Sequence, residues 1–168
     1  MSETAPAVDL DRHAHGSPTA RVTVVEHGDF ECPYCAAAAP VLRRLVDGSD
    51  GAVRLVFRHF PLFTKHPFAL TAALAAEASG ERFWQMHDLL FAHQDRLGDA
   101  DLARYADQVG AGEVTGEAAQ RHRPAVEADY AEGVRAGVRG TPTLFVDGRL
   151  YTGRVELGAL RTALGLTR

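Results

Sequence analysis

The feature that most constrains this chain is its pair of cysteines, Cys32 and Cys35, which are the only two in the sequence. Pro33-Tyr34 separates them, so the motif is Cys-Pro-Tyr-Cys. A run rich in β-branched residues over 21–26 predicts a strand, and proline is favoured in the first turn of a helix. The pair therefore lies where a strand gives way to a helix. A disulfide there would close a very short loop and stabilise little, so we interpret the pair as catalytic or metal-binding.

The junction of a strand and a helix suits thiol chemistry. A thiolate is the attacking form of cysteine, and the amides at a helix N-terminus stabilise it, so Cys32 is expected to have a lowered pKa. Cys35 lies one turn further on and is expected to be more buried and to resolve a mixed disulfide. Three alternatives stay open: a zinc site completed by histidines such as His27, His59 or His66, a pair without redox function, and an inactive remnant of a redox site. We expect no metal.

The composition excludes several classes of partner. Hydrophobic residues make up 46% of the chain and charged residues 24%, as in an ordinary globular protein. The formal net charge is -4, without the basic excess that would predict binding to nucleic acid. No stretch approaches the ~18 apolar residues of a membrane span. We therefore expect neither a nucleic acid nor a membrane as partner, and a monomer, because no heptad repeat is visible.

The first twenty residues are polar and contain Pro6, Gly16 and Pro18. They lack the apolar run of roughly 7–15 residues that a secretory signal needs. We predict that residues 1–20 form a tail and that the protein is cytoplasmic.

The remaining pattern predicts strand, helix, strand, a block of helices, a β-hairpin and a closing helix. Strands are predicted over residues 21–26 and 52–58 and on both sides of Asp147-Gly148, a pair typical of hairpin turns. Helices are predicted over residues 33–48, 67–79, 81–94, 99–109, 124–138 and 155–166. A strand, a crossover helix and a second strand predict a parallel pair.

Two separated motifs carry a resemblance to a known family. In the segment 22–35, Glu26 precedes Cys32 by six residues, and Gly140-Thr141-Pro142-Thr143 follows far downstream. Together they resemble the thioredoxin superfamily, whose cis-proline loop the second motif matches. The helical block and the motif Phe57-Arg58-His59-Phe60-Pro61-Leu62 resemble the cytosolic bacterial members of its DsbA-like branch. The resemblance covers roughly residues 8 to 166.

The resemblance implies an α/β fold, namely a thioredoxin fold with an inserted all-helical domain, as in DsbA. Residues 21–64 and 139–168 would form the thioredoxin core, and residues 65–138 the inserted domain. It also implies no bound cofactor, because the electrons stay in the cysteines.

The resemblance also implies roles for individual residues. Cys32 would be the nucleophile, Cys35 the resolving cysteine and Pro142 the cis-proline that faces the sulfurs. Glu26 would accept or relay the proton of Cys35, provided that its face of the strand is buried. Otherwise, Glu26 is a strand-end glutamate that reaches water. The residues expected to contact substrate are Thr141, Tyr34, Phe30 and Pro33.

The function implied is that of a thiol–disulfide oxidoreductase acting on protein thiols and disulfides, recycled by glutathione or another thiol partner. One departure is Tyr34, because strongly oxidising DsbA proteins have histidine there. A neutral phenol gives a thiolate no cationic partner, so we expect a less extreme Cys32 pKa and a less oxidising couple. His59 and His66 approach the active site in the family's geometry. The alternatives are a glutathione-linked, glutaredoxin-like reductase and a peptide-binding or chaperone module whose cysteines are regulatory or bind zinc.

Overall fold

A five-stranded sheet with the order β1-β3-β2-β4-β5 forms the centre of the protein in a computed structural model, which describes residues 9–166. The strands are β1 (Ala14–Gly16), β2 (Val22–Gly28), β3 (Val53–His59), β4 (Thr143–Val146) and β5 (Arg149–Leu150). β2 and β3 run parallel, and the other neighbours are antiparallel. The predicted parallel pair is therefore present at the middle of the sheet.

Helices cover the sheet and fill the sequence between β3 and β4. They are α1 (Pro33–Asp47), α2 (Ala69–Ala78), α3 (Phe83–Ala92), α4 (Asp99–Val109), α5 (Gly116–Gln120), α6 (Arg123–Arg135) and α7 (Leu157–Ala163), with a 3₁₀ turn at Gly80–Arg82. Among the described residues, no helix has the length and apolar composition needed to cross a bilayer. Helices α2 to α6 lie within the predicted insertion at residues 65–138, whose boundaries as a domain stay a prediction.

Two cores hold these elements together. The first joins the sheet to α1 and α7 through apolar side chains that include Val24, Leu42, Leu45, Leu55 and Leu160. The second belongs mainly to the helical segment, by which we mean α2 to α6 and their connections, and includes Phe57, Met86 and Leu90. Because the second core also contains Cys32 and Cys35, the cysteine pair lies where the core of the helical segment meets the sheet.

The hairpin between β4 and β5 forms as predicted, and its turn explains why. Asp147 has a φ of 47° and Gly148 a φ of 81°. A two-residue turn of type I′ requires positive φ at both central positions, which aspartate tolerates and glycine adopts freely. The turn residues therefore set the register that pairs Val146 with Arg149.

The predicted tail at residues 1–20 is wrong for its second half, because β1 (Ala14–Gly16) pairs antiparallel with β3. Residues 1–8 lie outside the described part. The strand is only 3 residues long, which is too short for an alternating side-chain pattern to show in the sequence. Gly16 is required there, since a Cβ at its φ of 111° would lie 2.8 Å from the carbonyl oxygen of Val53. The short helix α5 was also not predicted.

Candidate active site

The two cysteines lie at the N-terminal end of α1. Cys32 is the N-cap residue with extended backbone angles, and Pro33 occupies the first turn, as predicted. Both cysteines are free thiols and are buried, Cys35 completely. The extended N-cap leaves the first amides of the helix available to the Cys32 sulfur.

The loop before β4 brings the distant proline motif to the cysteines. The Thr141-Pro142 peptide bond is cis, as the resemblance implied. The Cys32 thiol lies 3.5 Å from the carbonyl oxygen of Thr141, to which it can donate. β4 pairs with β2, and this pairing joins two segments that lie more than 100 residues apart in the chain.

The environment shifts the pKa values of the two thiols in opposite directions. The pKa of Cys32 is lowered to about 5, chiefly because the Cys35 thiol donates to its sulfur; burial opposes this effect, and the side chain of Thr141 and the amides of Tyr34 and Cys35 add to it. Burial raises the pKa of Cys35 far above its ordinary value, and its hydrogen bond to Cys32 and the charge of Glu26 raise it further. Cys32 is therefore the thiolate at neutral pH, and Cys35 keeps its proton.

Glu26 lies on β2 with its side chain fully buried. Neither carboxylate oxygen has a hydrogen-bond partner among residues 9–166. Burial, and secondly the negative charge of Cys32, raise the pKa of Glu26 to about 8. The burial that its predicted role requires is therefore present, and near neutral pH such a carboxyl can both accept and release a proton. Its role as the proton acceptor of Cys35 stays a prediction.

Asp29 shapes the loop before the cysteines, a role that the sequence did not reveal. One carboxylate oxygen accepts the Glu31 amide at 2.7 Å, and the other accepts the Leu62 amide at 2.9 Å and lies 2.8 Å from Nδ1 of His66. Its backbone carbonyl accepts the amide of Cys32 at 3.1 Å. This buried carboxylate thus fixes the chain that leads into the helix, and His66 approaches the site through it. An aspartate three residues before the motif was the available signal.

The predicted substrate contacts divide into two groups. Tyr34 is 74% exposed and Pro33 is also exposed, so both can meet a substrate. The prediction that Phe30 contacts substrate is wrong, because its ring is only 1% exposed. Phe30 packs against Phe57 and Phe91 at centroid distances of 5.2 and 4.9 Å, where burial of its aromatic surface stabilises the core.

His59 belongs to a buried polar network rather than to the cysteine site. Its Nε2 lies 2.8 Å from a carboxylate oxygen of Glu77, and Nε2 of His13 lies 2.6 Å from the same oxygen. Arg12 donates to the other oxygen at 2.9 Å and also pairs with Asp129. His13, His59 and Glu77 each bring one atom that could serve as a metal ligand, but Arg12 already neutralises the carboxylate. This cluster does not include the cysteines, as the zinc alternative for them would require.

The family can now be assigned. The family model described as thioredoxin matches residues 9–165. The chain belongs to the thioredoxin family. This thioredoxin-family protein is 32% identical to a thioredoxin-like oxidoreductase from Silicibacter pomeroyi, with a TM-score of 0.76 over 90% of this chain and 89% of the other. It is 26% identical to Pseudomonas aeruginosa DsbA2, with a TM-score of 0.69 over 96% and 95% of the two chains.

These similarities confirm the predicted fold of the thioredoxin-family protein. Its fold is the α/β thioredoxin fold in its DsbA-like form, with the helices of the insertion between β3 and β4. An oxidoreductase is among the solved structures that it resembles, and Cys32 and Cys35 are the free cysteines of its Cys-Pro-Tyr-Cys motif.

A further relative is longer than this chain. The Na(+)/H(+) antiporter NhaA 3 of Salinispora tropica is 47% identical over 166 residues, which are 94% of this chain but 25% of the antiporter. The chain thus spans about a quarter of the length of the curated relatives it matches. The similarity therefore concerns one part of those proteins, and their transport activity is not transferred to this chain.

Because the pKa of Glu26 is raised by folding, the stability of the protein should depend on pH through this group. The folded pKa of about 8 lies above the ordinary value, so the contribution of this group to stability is largest below pH ~4.3 and is lost as the pH rises to 8. Glu26→Gln cannot ionise. We therefore expect the variant to gain stability relative to the wild type between pH 5 and pH 9, on the order of 4 kcal/mol.

The measurement is urea unfolding of the reduced proteins at both pH values. Subtracting the free energy of unfolding at pH 5 from that at pH 9 for each protein removes the cost of burying the glutamine amide, which does not depend on pH. Glu113→Gln, at an exposed position, serves as the control. Equal pH dependence in the wild type and in Glu26→Gln would contradict the assignment of a high pKa.

Proposed function

We propose that this protein is a thiol–disulfide oxidoreductase that exchanges disulfides with polypeptide substrates by a two-step mechanism. The Cys32 thiolate attacks a substrate disulfide, which forms a mixed disulfide and releases one substrate thiolate. Cys35 loses its proton and attacks the Cys32 sulfur, which releases the second substrate thiol and leaves a Cys32–Cys35 disulfide. Two electrons have then passed from the cysteine pair to the substrate, and the reverse sequence oxidises a dithiol.

The observation that carries this proposal is the opposite displacement of the two thiol pKa values. A nucleophile needs a large thiolate fraction, which a pKa of about 5 gives Cys32 at neutral pH. A resolving thiol must stay protonated until the mixed disulfide forms, and burial holds Cys35 in that form. Once Cys32 is bonded to substrate, its negative charge is gone, and Glu26 is the buried carboxyl available to take the proton.

The surroundings of Cys32 favour an extended polypeptide as substrate. Thr141 and Pro142 are partly exposed beside the sulfur, and Tyr34 stands out into solvent from the first turn of α1. A substrate chain that lies extended along the loop can form hydrogen bonds with the backbone of Thr141 while its cysteine approaches Cys32. Protein thiols and disulfides are therefore the substrates that we propose, and glutathione is a candidate for recycling the pair.

The lowered pKa of Cys32 also supports an intermediate reduction potential. A stabilised thiolate stabilises the reduced form, so a lower pKa makes the disulfide a stronger oxidant. The value of about 5 lies between the pKa values of the thioredoxin and DsbA nucleophiles, which are about 7 and about 3.5. We therefore expect a potential between about -270 and about -120 mV.

Equilibration in glutathione redox buffers tests this expectation. The wild type should show a reversible two-electron couple in that interval, and Cys32→Ser should show none. A couple outside the interval would contradict the link between the thiolate and the potential. The absence of any reversible couple would reject redox exchange and favour the peptide-binding alternative.

Substitution of each cysteine separates their roles. Cys35→Ser should accumulate a mixed disulfide with a peptide disulfide, because nothing remains to resolve it, whereas Cys32→Ser should accumulate little because Cys35 is buried and protonated. Mass spectrometry after acid quenching measures both products. Comparable trapping by the two variants would contradict the assignment of Cys32 as the nucleophile. Faster trapping of glutathione than of the peptide would favour the glutathione-linked alternative.

A cytoplasmic location remains part of the proposal, and it decides the direction of electron flow. Against the cytosolic glutathione pool, at roughly -220 to -320 mV, a couple more positive than the pool, as most of the expected interval is, would be mostly reduced. The protein would then reduce or isomerise disulfides. Trapping of thiols in intact cells should find Cys32 and Cys35 reduced. A pair found mainly oxidised would overturn the cytoplasmic assignment and identify an oxidant.

A further inference from the structure

One side chain of the helical segment is bonded directly to the backbone of the cysteine motif. Nε2 of Gln94, just beyond α3, donates to the carbonyl of Phe30 at 2.9 Å and to the carbonyl of Cys32 at 2.8 Å. An amide nitrogen has two protons, so this group uses its whole donor capacity on the two carbonyls that flank Glu31. Neither the motif nor its spacing pointed to Gln94.

The segment that carries Gln94 is itself held in place. Leu90, Phe91 and Leu97 on either side of it are buried in the core of the helical segment. The Tyr105 hydroxyl donates to the carbonyl of Arg96 at 2.7 Å. Gln94 is therefore presented from a turn that is also held by contacts outside the loop that it contacts.

We propose that Gln94 is a positioning residue that keeps Cys32 reactive. This inference rests on the proposed role of Cys32 as the nucleophile. The amide of Cys32 is bonded to the carbonyl of Asp29 at 3.1 Å, and its carbonyl accepts the amide of Ala36, also at 3.1 Å. Gln94 adds a second donor to that carbonyl and supplies one to Phe30. Together these bonds hold the extended N-cap conformation in which the amides of Tyr34 and Cys35 can stabilise the sulfur anion.

Gln94 also acts electrostatically in the same direction. The two carbonyl oxygens carry partial negative charge close to a sulfur that must become an anion in a poorly hydrated site. An N–H group on each oxygen offsets that charge. Loss of the donors should therefore leave Cys32 in place but less acidic, and a less acidic Cys32 makes the disulfide a weaker oxidant.

Three variants test the proposal. Gln94→Met keeps the length of the side chain without its donors, Gln94→Lys keeps donors at a similar reach, and Gln85→Met on the exposed side of α3 is the matched control. The readouts are the Cys32 pKa from the thiolate absorbance, the equilibrium constant with glutathione at pH 7, and the melting temperature.

We expect Gln94→Met to raise the Cys32 pKa by about one and to weaken the protein as an oxidant of glutathione about tenfold. Gln94→Lys should keep the pKa at or below the wild-type value, and Gln85→Met should change neither readout. A lower melting temperature of Gln94→Met with unchanged pKa and equilibrium constant would mean a purely structural role. Equal values for the methionine and lysine variants would also overturn the proposal.

The test is separable from that of the proposed function. A wild type without a reversible couple would reject the proposed exchange, while the pKa comparison would still show whether Gln94 acts on Cys32. A wild type with a normal couple and a pKa that is unmoved by Gln94→Met would reject only the positioning role.

Discussion

The N-terminal end of α1 must stabilise a sulfur anion where little water reaches, and several parts of the structure contribute to that stabilisation. Water would normally solvate a thiolate, but Cys32 is only 3% exposed. The Cys35 thiol and the free amides of the first helical turn replace that solvation, and they can do so only if Cys32 keeps its extended conformation. The sheet, the loop before the motif and the helical segment each contribute to that conformation.

Three buried carboxylates show how the protein separates structural from chemical acids. Asp29 accepts two amides and contacts a histidine, and Glu77 is surrounded by Arg12, His13 and His59. These acids are fully partnered, as buried charges must be to be tolerated. Glu26 has no hydrogen-bond partner among the described residues, and its pKa rises to about 8 in consequence of its burial. A lack of partners would destabilise a structural acid, but in Glu26 it favours the proton exchange that we propose.

The helical segment does more than cover one face of the sheet. Its Gln94 side-chain amide donates to the cysteine motif, and the Phe68 backbone amide at its start donates to the carboxylate of Glu31. Helix α3 also packs against Phe30 through Phe91. The segment between β3 and α2 supplies the Leu62 amide to Asp29. Sequence changes in the helical segment can therefore tune Cys32 without touching the cysteines, because the two parts share hydrogen bonds and a core.

The sequence by itself determined the parts of the protein that depend on near neighbours. The β-branched run of β2, the Cys-Pro-Tyr-Cys motif at a helix start and the Asp147-Gly148 turn predicted the strand, the helix and the hairpin, because their physical causes act within a few residues. The proline motif before β4 was identified by resemblance rather than by periodicity. Most of the site could thus be predicted, although only the resemblance implied that Pro142 meets the cysteines.

Tertiary structure decided how distant segments meet. It buried Phe30, which the sequence placed at the surface of the site, and it added β1, which is too short to show a side-chain pattern. It also brought Asp29 to Leu62 and Gln94 to Cys32. A hydrogen bond from one side chain to a remote backbone group has no periodic signature, so only the packing of the elements that carry the two groups determines whether it forms.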